Sequence, residues 1–395
     1  MINFIILTYY FSIKVRVKNF TNLSLEYKNM KRLFHNILYN IIFSNRNTTK
    51  FKAKKINSRQ FPYEIEIIAE NLSVPWAIDI SNEGNIYFTE RSGTIRIIEN
   101  GKLNPQPLTT FSAPFINEGE GGLMGIALDP NFSQNHYIYV IHSYLEGNQI
   151  YNRVIRLIEN NNRSFIDRTL LDKIPGGQIH NGGRLKIGPD QKLYITTGDA
   201  GNSALSQDPT STAGKILRLE LDGSIPKDNP IINSPIYSLG HRNPQGLTWN
   251  SKNVLYESEH GQLAHDEINI IQPGANYGWP LVQGNEESTE VTIQKPLIHS
   301  GEDTWAPSGI AFINQGPWQG KLLVANLRGQ QLLSIFLNET GTVVTNIESW
   351  FKNEYGRFRE VVFSKDGSIY LTTNNRDGRG NPDITDDKII RLIPK

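Results

Sequence analysis

The polar chemistry of this chain is gathered in a few glycine-rich segments. They are GEGGLMGIALDPNF (119–132), IHNGGRL (179–185), TTGDAGN (196–202) and GHRNPQGL (240–247). ESEHGQLAHDEIN (257–269), NYGWP (276–280), ANLRGQQ (325–331) and YGRFRE (355–360) complete the set. His180 stands among small residues that leave its ring reachable, and an imidazole, with an ordinary pKa of about 6.5, suits proton transfer at neutral pH. Asp199 follows 19 residues later, one hairpin away, so both side chains can meet at one mouth. There a carboxylate would fix the imidazole tautomer and stabilise its protonated form. A surface histidine and a turn aspartate are the plain alternative. For Arg242 and Asn243 the plain alternative is a turn closed by Asn-Pro with a solvated guanidinium. Alternation along an extended segment places Arg357 and Arg359 on one side. His260 and His265 suggest a transition metal only superficially, because nothing in the sequence fixes their geometry.

Such loops need a scaffold, and the sequence supplies one by repetition. From Pro62 onward an apolar strand, a turn rich in Asp, Gly and Pro, a strand ending in aromatic residues or Thr, and a third strand recur. The copies begin at Trp76, Met124, Gly183, Gln245, Ser308 and Glu360, spaced 48, 59, 62, 63 and 52 residues apart. Turn pairs such as Glu83-Gly84, Pro189-Asp190 and Asp366-Gly367 separate the first two strands of a copy. Six copies of this length predict an all-β, six-bladed β-propeller. YEIEIIAENL near its start would close it by pairing into the last blade beside DKIIRLIPK. A β-sandwich array, or two smaller β domains, is the competing architecture.

Composition narrows the function. The 395 residues contain no cysteine, which excludes disulfides, zinc–thiolate sites, iron–sulfur clusters and a cysteine nucleophile. Of the 40 Lys and Arg, 12 lie in residues 1–60 beside one acidic residue, Glu26. That leaves 28 basic against 38 acidic side chains in the rest, an acidic balance that argues against nucleic-acid binding. All 33 Gly and 20 Pro also lie beyond residue 60. Residues 1–60 are therefore read as a basic extension and 61–395 as the propeller domain. Residues 2–13 are apolar but too short to span a bilayer. Met30-Lys31-Arg32, an apolar stretch and Ser44-Asn45-Arg46 have the layout of a secretory signal, which predicts export to a periplasmic or extracellular location.

The loop segments, taken together and in order over residues 62–395, resemble the soluble pyrroloquinoline quinone (PQQ)-dependent aldose sugar dehydrogenases of the glucose/sorbosone dehydrogenase family. That resemblance implies oxidation of an aldose at C1 to the lactone, with hydride passing to a Ca²⁺-bound PQQ and electrons to an external acceptor. It implies His180 as the general base, Asp199 as its partner and Arg242 as the guanidinium that polarises the accepting carbonyl. Asn243, Arg328, Arg357 and Arg359 match cofactor ligands; relatives often carry Lys where Arg328 stands. The successive carbonyls of Gly261 and Gln262 match the Ca²⁺ site, although relatives often have Pro at the second position. Glu267 and the Tyr277 carbonyl match a second, structural Ca²⁺ site, and a plain strand with a solvated Glu remains open. Glu120 stands where a substrate-proximal polar side chain is expected, and capping a tight glycine turn is an equal reading. The aromatic-rich loop after Trp279 and the segment 305–307 would supply a stacking wall for a sugar. The chain would act as a monomer or homodimer.

Two rival functions remain. A non-catalytic carbohydrate- or protein-binding propeller would not require His180, Asp199, Arg242 and the three further arginines to converge on one cavity. A lactonase-type hydrolase would need Glu, Asn and Asp metal ligands spread over several blades, and no such set stands out.

Overall fold

The computed structural model describes residues 61–395 and the two-residue strand Lys54–Lys55. The apolar run 2–13 and the signal-like run 30–46 lie outside the described residues. Strands dominate the rest. Helical structure among the described residues is limited to Phe132–Asn135 and a 3₁₀ turn at Ser203–Ser206.

Six sheets follow one another along the chain. The first blade runs Pro75–Ile80, Ile86–Glu90, Thr94–Glu99 and Lys102–Leu103, with Thr109–Thr110 also on its third strand. The second holds Leu123–Leu128, Tyr137–Glu146, Gln149–Asn160 and Arg163–Pro175; the third, Leu185–Ile187, Leu193–Thr197, Lys215–Leu219 and Ile236–Leu239. The fourth comprises Pro244–Trp249, Leu255–Glu259, Glu267–Ile270 and Ile298–His299. The fifth comprises Pro307–Phe312, Lys321–Asn326, Gln331–Leu337 and Val344–Trp350, with Lys54–Lys55 parallel to its last strand. The sixth is Phe358–Phe363, Ile369–Thr373 and Ile389–Pro394, completed by Tyr63–Ala69 from the other end of the sequence. That strand pairs antiparallel in the register Tyr63↔Pro394, Glu64↔Ile393 and Ile65↔Leu392, as the repeat pattern predicts. Phe61, Tyr63, Trp318 and Trp350 pack ring to ring beside this closure, with Tyr63 and Trp318 centroids 4.8 Å apart.

The first strand of each blade touches the first strand of the next, and the sixth returns to the first, so these strands form a closed inner ring. Each blade is covered on both faces. Its second strand is consequently buried over most of its length, and throughout in Ile86–Glu90, Leu193–Thr197 and Ile369–Thr373. This is why the apolar alternation is weak there and the segments read as nearly continuous apolar runs. The outermost strands are more open to solvent, as at the closing edge, where Glu64, Ile65, Glu66 and Ile67 are all exposed.

Five of the six inner strands enter through a β-bulge. The register slips between Pro75 and Ala77, Leu123 and Ile126, Pro244 and Gly246, Pro307 and Ile310, and Phe358 and Glu360. A bulge re-aims the extra residue out of the alternating pattern. The residues so released include Trp76, Gln245, Ser308 and Arg359.

Glycine at these entries lets neighbouring inner strands approach. A Cβ on Gly309 would lie 2.8 Å from both the Glu360 Cα and the Val361 N. Backbone cannot swing aside, so Gly309→Ala should destabilise the fold by about 2–3 kcal/mol, the cost of overpacking a tight core. A lower midpoint of urea unfolding with an unchanged slope is the expected readout. An unchanged midpoint would contradict the close approach.

Candidate active site

In an antiparallel blade the start of the first strand lies beside the end of the second, as in Pro75↔Glu90, Pro244↔Glu259 and Pro307↔Asn326. Loops entering an inner strand and loops leaving a second strand therefore open at the same end. His180, Arg242 and Glu120 come from the first kind of loop; Asp199, His260, Asp377 and Arg379 come from the second.

His180 and Asp199 meet. The ring Nδ1 lies 2.7 Å from Asp199 Oδ1, which also accepts the Gly201 N–H at 2.8 Å. Asp199 Oδ2 accepts the Trp279 indole N–H at 2.9 Å. Burial would raise the pKa of Asp199, but these donors outweigh it and hold the carboxyl below its usual range. Backbone bonds fix the pair: Ala200 N–H to the His180 carbonyl (3.0 Å) and Asp199 N–H to the Arg242 carbonyl (2.9 Å). His180 has a left-handed φ of 57°. Its N–H is held by Glu120 Oε2 at 2.9 Å, and Glu120 Oε1 accepts Arg379 Nη1 at 2.6 Å. Burial alone would push Glu120 up, yet these two donors bring it down to about 2, so it is ionised at neutral pH. Glu120 thus grips the backbone of His180 rather than capping its own glycine turn.

Arg242 is carried next to this pair. Its backbone N–H donates to Glu259 Oε2 (2.7 Å), its Nη1 to the His260 carbonyl (3.3 Å), and its guanidinium lies 5.3 Å from the centre of the Trp279 ring. Burial lowers its pKa against the pull of Asp199, Glu259 and Glu120. Asn243 is fully buried, and its Oδ1 accepts the Gly182 N–H at 3.0 Å.

A cleft adjoins them, lined among others by Trp76, Arg91, Glu120, Gln245, His260 and Arg359. Asn181 and Gly182, which follow His180, also border it, as do Asp377 and Arg379. Arg359 Nη1 donates to Gln245 Oε1 at 2.6 Å, and its guanidinium and that of Arg184 both face the Trp76 ring. Beneath them Arg184 is ion-paired with Glu360 across the ring of inner strands. Burial brings the Arg359 pKa down to about 9, with Asp377 opposing, so the group stays cationic at neutral pH. Arg357 donates through Nε and Nη2 to Asp377 Oδ2, at 3.1 and 2.8 Å.

Several donors around this mouth have no partner among the described residues: Arg91 Nε, Arg242 Nε, Arg359 Nε, Asn243 Nδ2 and His260 Nε2. Burial lowers the His260 pKa to about 4, so this ring is neutral at physiological pH. Clustered, desolvated donors of this kind suit an anionic ligand rich in acceptors.

A second cavity is lined among others by Arg242, Glu259, Gly261, Glu267 and Tyr277, and His260 borders both cavities. Below it the carboxylates of Glu257, Glu259 and Glu267 converge on the Asn269 amide. Burial, with the nearby Glu259, raises Glu267 to about 8. An oxygen-rich wall of three carboxyl groups, with the Arg242 guanidinium on the same cavity, fits a hard divalent ion. A Cβ on Gly261 would lie 1.9 Å from the Ala264 carbonyl oxygen, so the turn that presents the 261–262 carbonyls is tight.

The fold therefore gathers His180, Asp199, Arg242, Asn243, Glu120 and Arg359 around one mouth. Arg357 joins through Asp377, and Gly261, Glu267 and Tyr277 line the adjoining cavity. Arg328 and Gln262 are exposed, although Leu327, next to Arg328, borders the cleft. Sequence reasoning missed Trp76, Arg91, Gln245, His260, Asp377 and Arg379. Two of these offered a signal: Trp76 and Gln245 each begin a repeat copy.

Comparison with known proteins agrees with this architecture. The sequence model of the Glucose / Sorbosone dehydrogenase family matches residues 72–390. The chain is 31% identical to the aldose sugar dehydrogenase YliI of Escherichia coli, over 80% of this chain and 91% of that one. It is 34% identical to quinoprotein glucose dehydrogenase B of Acinetobacter calcoaceticus, over 70% of this chain and 65% of that longer protein. The PQQ-bound aldose sugar dehydrogenase of Streptomyces coelicolor superposes with a TM-score of 0.77 at 34% identity, covering 87% of this chain and all of that one. Repeats, closure, loop constellation and these matches agree: this six-bladed propeller belongs to the Glucose / Sorbosone dehydrogenase family.

Proposed function

We propose that the chain oxidises aldose sugars at C1 to lactones, with hydride passing to a Ca²⁺-bound pyrroloquinoline quinone and electrons leaving to an external acceptor. The observation that carries this reading is the His180–Asp199 pair beside Arg242, at a mouth whose buried donors lack protein partners. The residues present fit the cofactor. Asn243, Arg242, Arg357 and Arg359 would hold the quinone carboxylates and carbonyls, with Arg328 at the rim as the family resemblance suggests. The carbonyls of Gly261 and Gln262 would hold its Ca²⁺, and Glu267 with the Tyr277 carbonyl a second ion. When bound, the quinone supplies the hydride acceptor and Ca²⁺ polarises it.

The protein's own share is proton and charge management. With Nδ1 engaged by Asp199, the ring of His180 offers Nε2 to the anomeric hydroxyl proton. The ionised Asp199 stabilises the imidazolium that forms. Arg242 places a desolvated positive charge where negative charge develops. Glu120 keeps the His180 backbone in its left-handed conformation and lies close enough to the cleft to meet a sugar hydroxyl. Export to a periplasmic or extracellular location belongs to the same proposal and rests on residues 30–46 alone.

The test is reconstitution. Cofactor-free protein supplied with PQQ and Ca²⁺ should reduce a dye acceptor in the presence of aldoses, lose that activity in excess EDTA and regain it with Ca²⁺. Quinone binding without turnover of any aldose would instead leave a binding propeller.

A further inference from the structure

We propose that Trp279 is a positioning residue that couples the carboxylate partner of His180 to the Arg242 guanidinium. The inference rests on the reading of His180 as the base. Trp279 belongs to the fourth blade, in the long excursion 271–297 between its third and fourth strands, and it reaches back to the third. Asp199 is only 1% exposed, and among the described residues the Trp279 indole N–H is the sole hydrogen-bond donor to its Oδ2. Oδ1 is committed to His180 and Gly201. Without the indole, one oxygen of a buried carboxylate would be left unpaired and the carboxyl plane free to turn. The same ring system also meets Arg242, 5.3 Å from guanidinium to centroid.

The indole is itself anchored at its backbone. The Trp279 N–H donates to the Gly240 carbonyl (2.9 Å), in the loop that leads to Arg242. The Trp279 carbonyl accepts Gln207 Nε2 (2.7 Å), from the excursion that carries Asp199. Gln207 Oε1 is in turn held by Asn276 Nδ2 at 2.7 Å. One side chain thus takes its position from both loops and passes it to both functional groups.

The experiment is a double-mutant cycle on the reconstituted enzyme with an independent readout on cofactor-free protein. Trp279→Phe keeps an aromatic face for Arg242 and removes the N–H. It should lower kcat about 10-fold, as loss of a partner that orients a ligating or catalytic group does, with sugar KM changed less than about 2-fold. In the Asp199→Asn background the same change should cost less than about 2-fold, because the partner through which Trp279 acts is gone. Equal losses in both backgrounds, or no loss, would overturn the proposal. In cofactor-free protein, ¹⁵N-histidine spectra should show His180 as the Nδ1–H tautomer, turning into a mixture of tautomers in Trp279→Phe. An unchanged ring pattern would overturn the proposal. A changed one in a protein that turns over no sugar would uphold the positioning role and remove the proposed activity. Should Trp279→Phe fail to fold, Asp199→Ala leaves the indole in place. Its N–H resonance should then move upfield and exchange faster with solvent, and a stationary resonance counts against the coupling.

Discussion

His180→Gln should lower kcat by about three to four orders of magnitude while the protein still binds quinone and Ca²⁺. General-base catalysis contributes up to about 10⁴-fold. In the proposed reaction the base would act on a hydroxyl that loses its proton as hydride departs, so little reaction would proceed without it. Glutamine is the informative replacement. Its amide can still donate to Asp199 and fill much of the imidazole volume, but it has no basic nitrogen to offer the substrate. None of the unpartnered donors around the cleft is supplied by the His180 ring, so cofactor affinity should change less than about 10-fold. A loss of about 10³ in rate corresponds to about 4 kcal/mol of transition-state stabilisation. Steady-state assays at saturating quinone, with a spectral titration of quinone binding, separate the two effects. Near-wild-type turnover would remove His180 from the reaction, and loss of quinone binding would assign it a different role.

His180 and Asp199 were legible in the sequence because glycine-rich loops surround them and one hairpin separates them. The propeller was legible because its repeats are nearly regular and its closing strand lies at the other end of the chain from its partner. What stayed hidden follows from the bulges. Alternation places Arg357 and Arg359 on one side of a strand, but the register slips at Arg359. Arg359 turns to Gln245 while Arg357 bonds Asp377. Trp76, Gln245 and Ser308 occupy the equivalent entries of other blades, where an apolar residue would suit a plain strand better. A polar or outsized residue at the second position of an inner strand was therefore a usable signal. Arg91, Asp377 and Arg379 were harder to find, because nothing local in the sequence says that the turn after a second strand faces the mouth. His260 stood in a noted segment but was weighed only as a metal ligand. Its neutral, unpartnered ring nitrogen becomes evident only once Arg242, Arg359 and Glu120 are seen around it.

Arg242 should rank next to His180 in its effect. Arg242→Ala is expected to lower kcat by about 10²–10³-fold, the range for removing one preorganised donor from a water-poor site. Its guanidinium is partly buried, which lowers its pKa, and its side chain makes a single long bond of 3.3 Å, to the His260 carbonyl. Nε has no partner among the described residues. A charge desolvated and left with donors to spare interacts strongly with whatever anion or carbonyl enters. The backbone is secured separately by Glu259, so truncating the side chain should leave the loop in place. Arg242→Lys distinguishes charge from geometry. Lysine restores the cation but not the planar fork or the broad contact with the Trp279 ring, so it should recover less than about 10-fold of the lost rate. Full recovery by lysine would mean that a point charge suffices and that the unpartnered Nε is incidental. Because Trp279 touches both Arg242 and Asp199, Arg242→Ala and Trp279→Phe together should fall short of the product of their separate losses. Strict multiplicativity would place the two residues in independent roles.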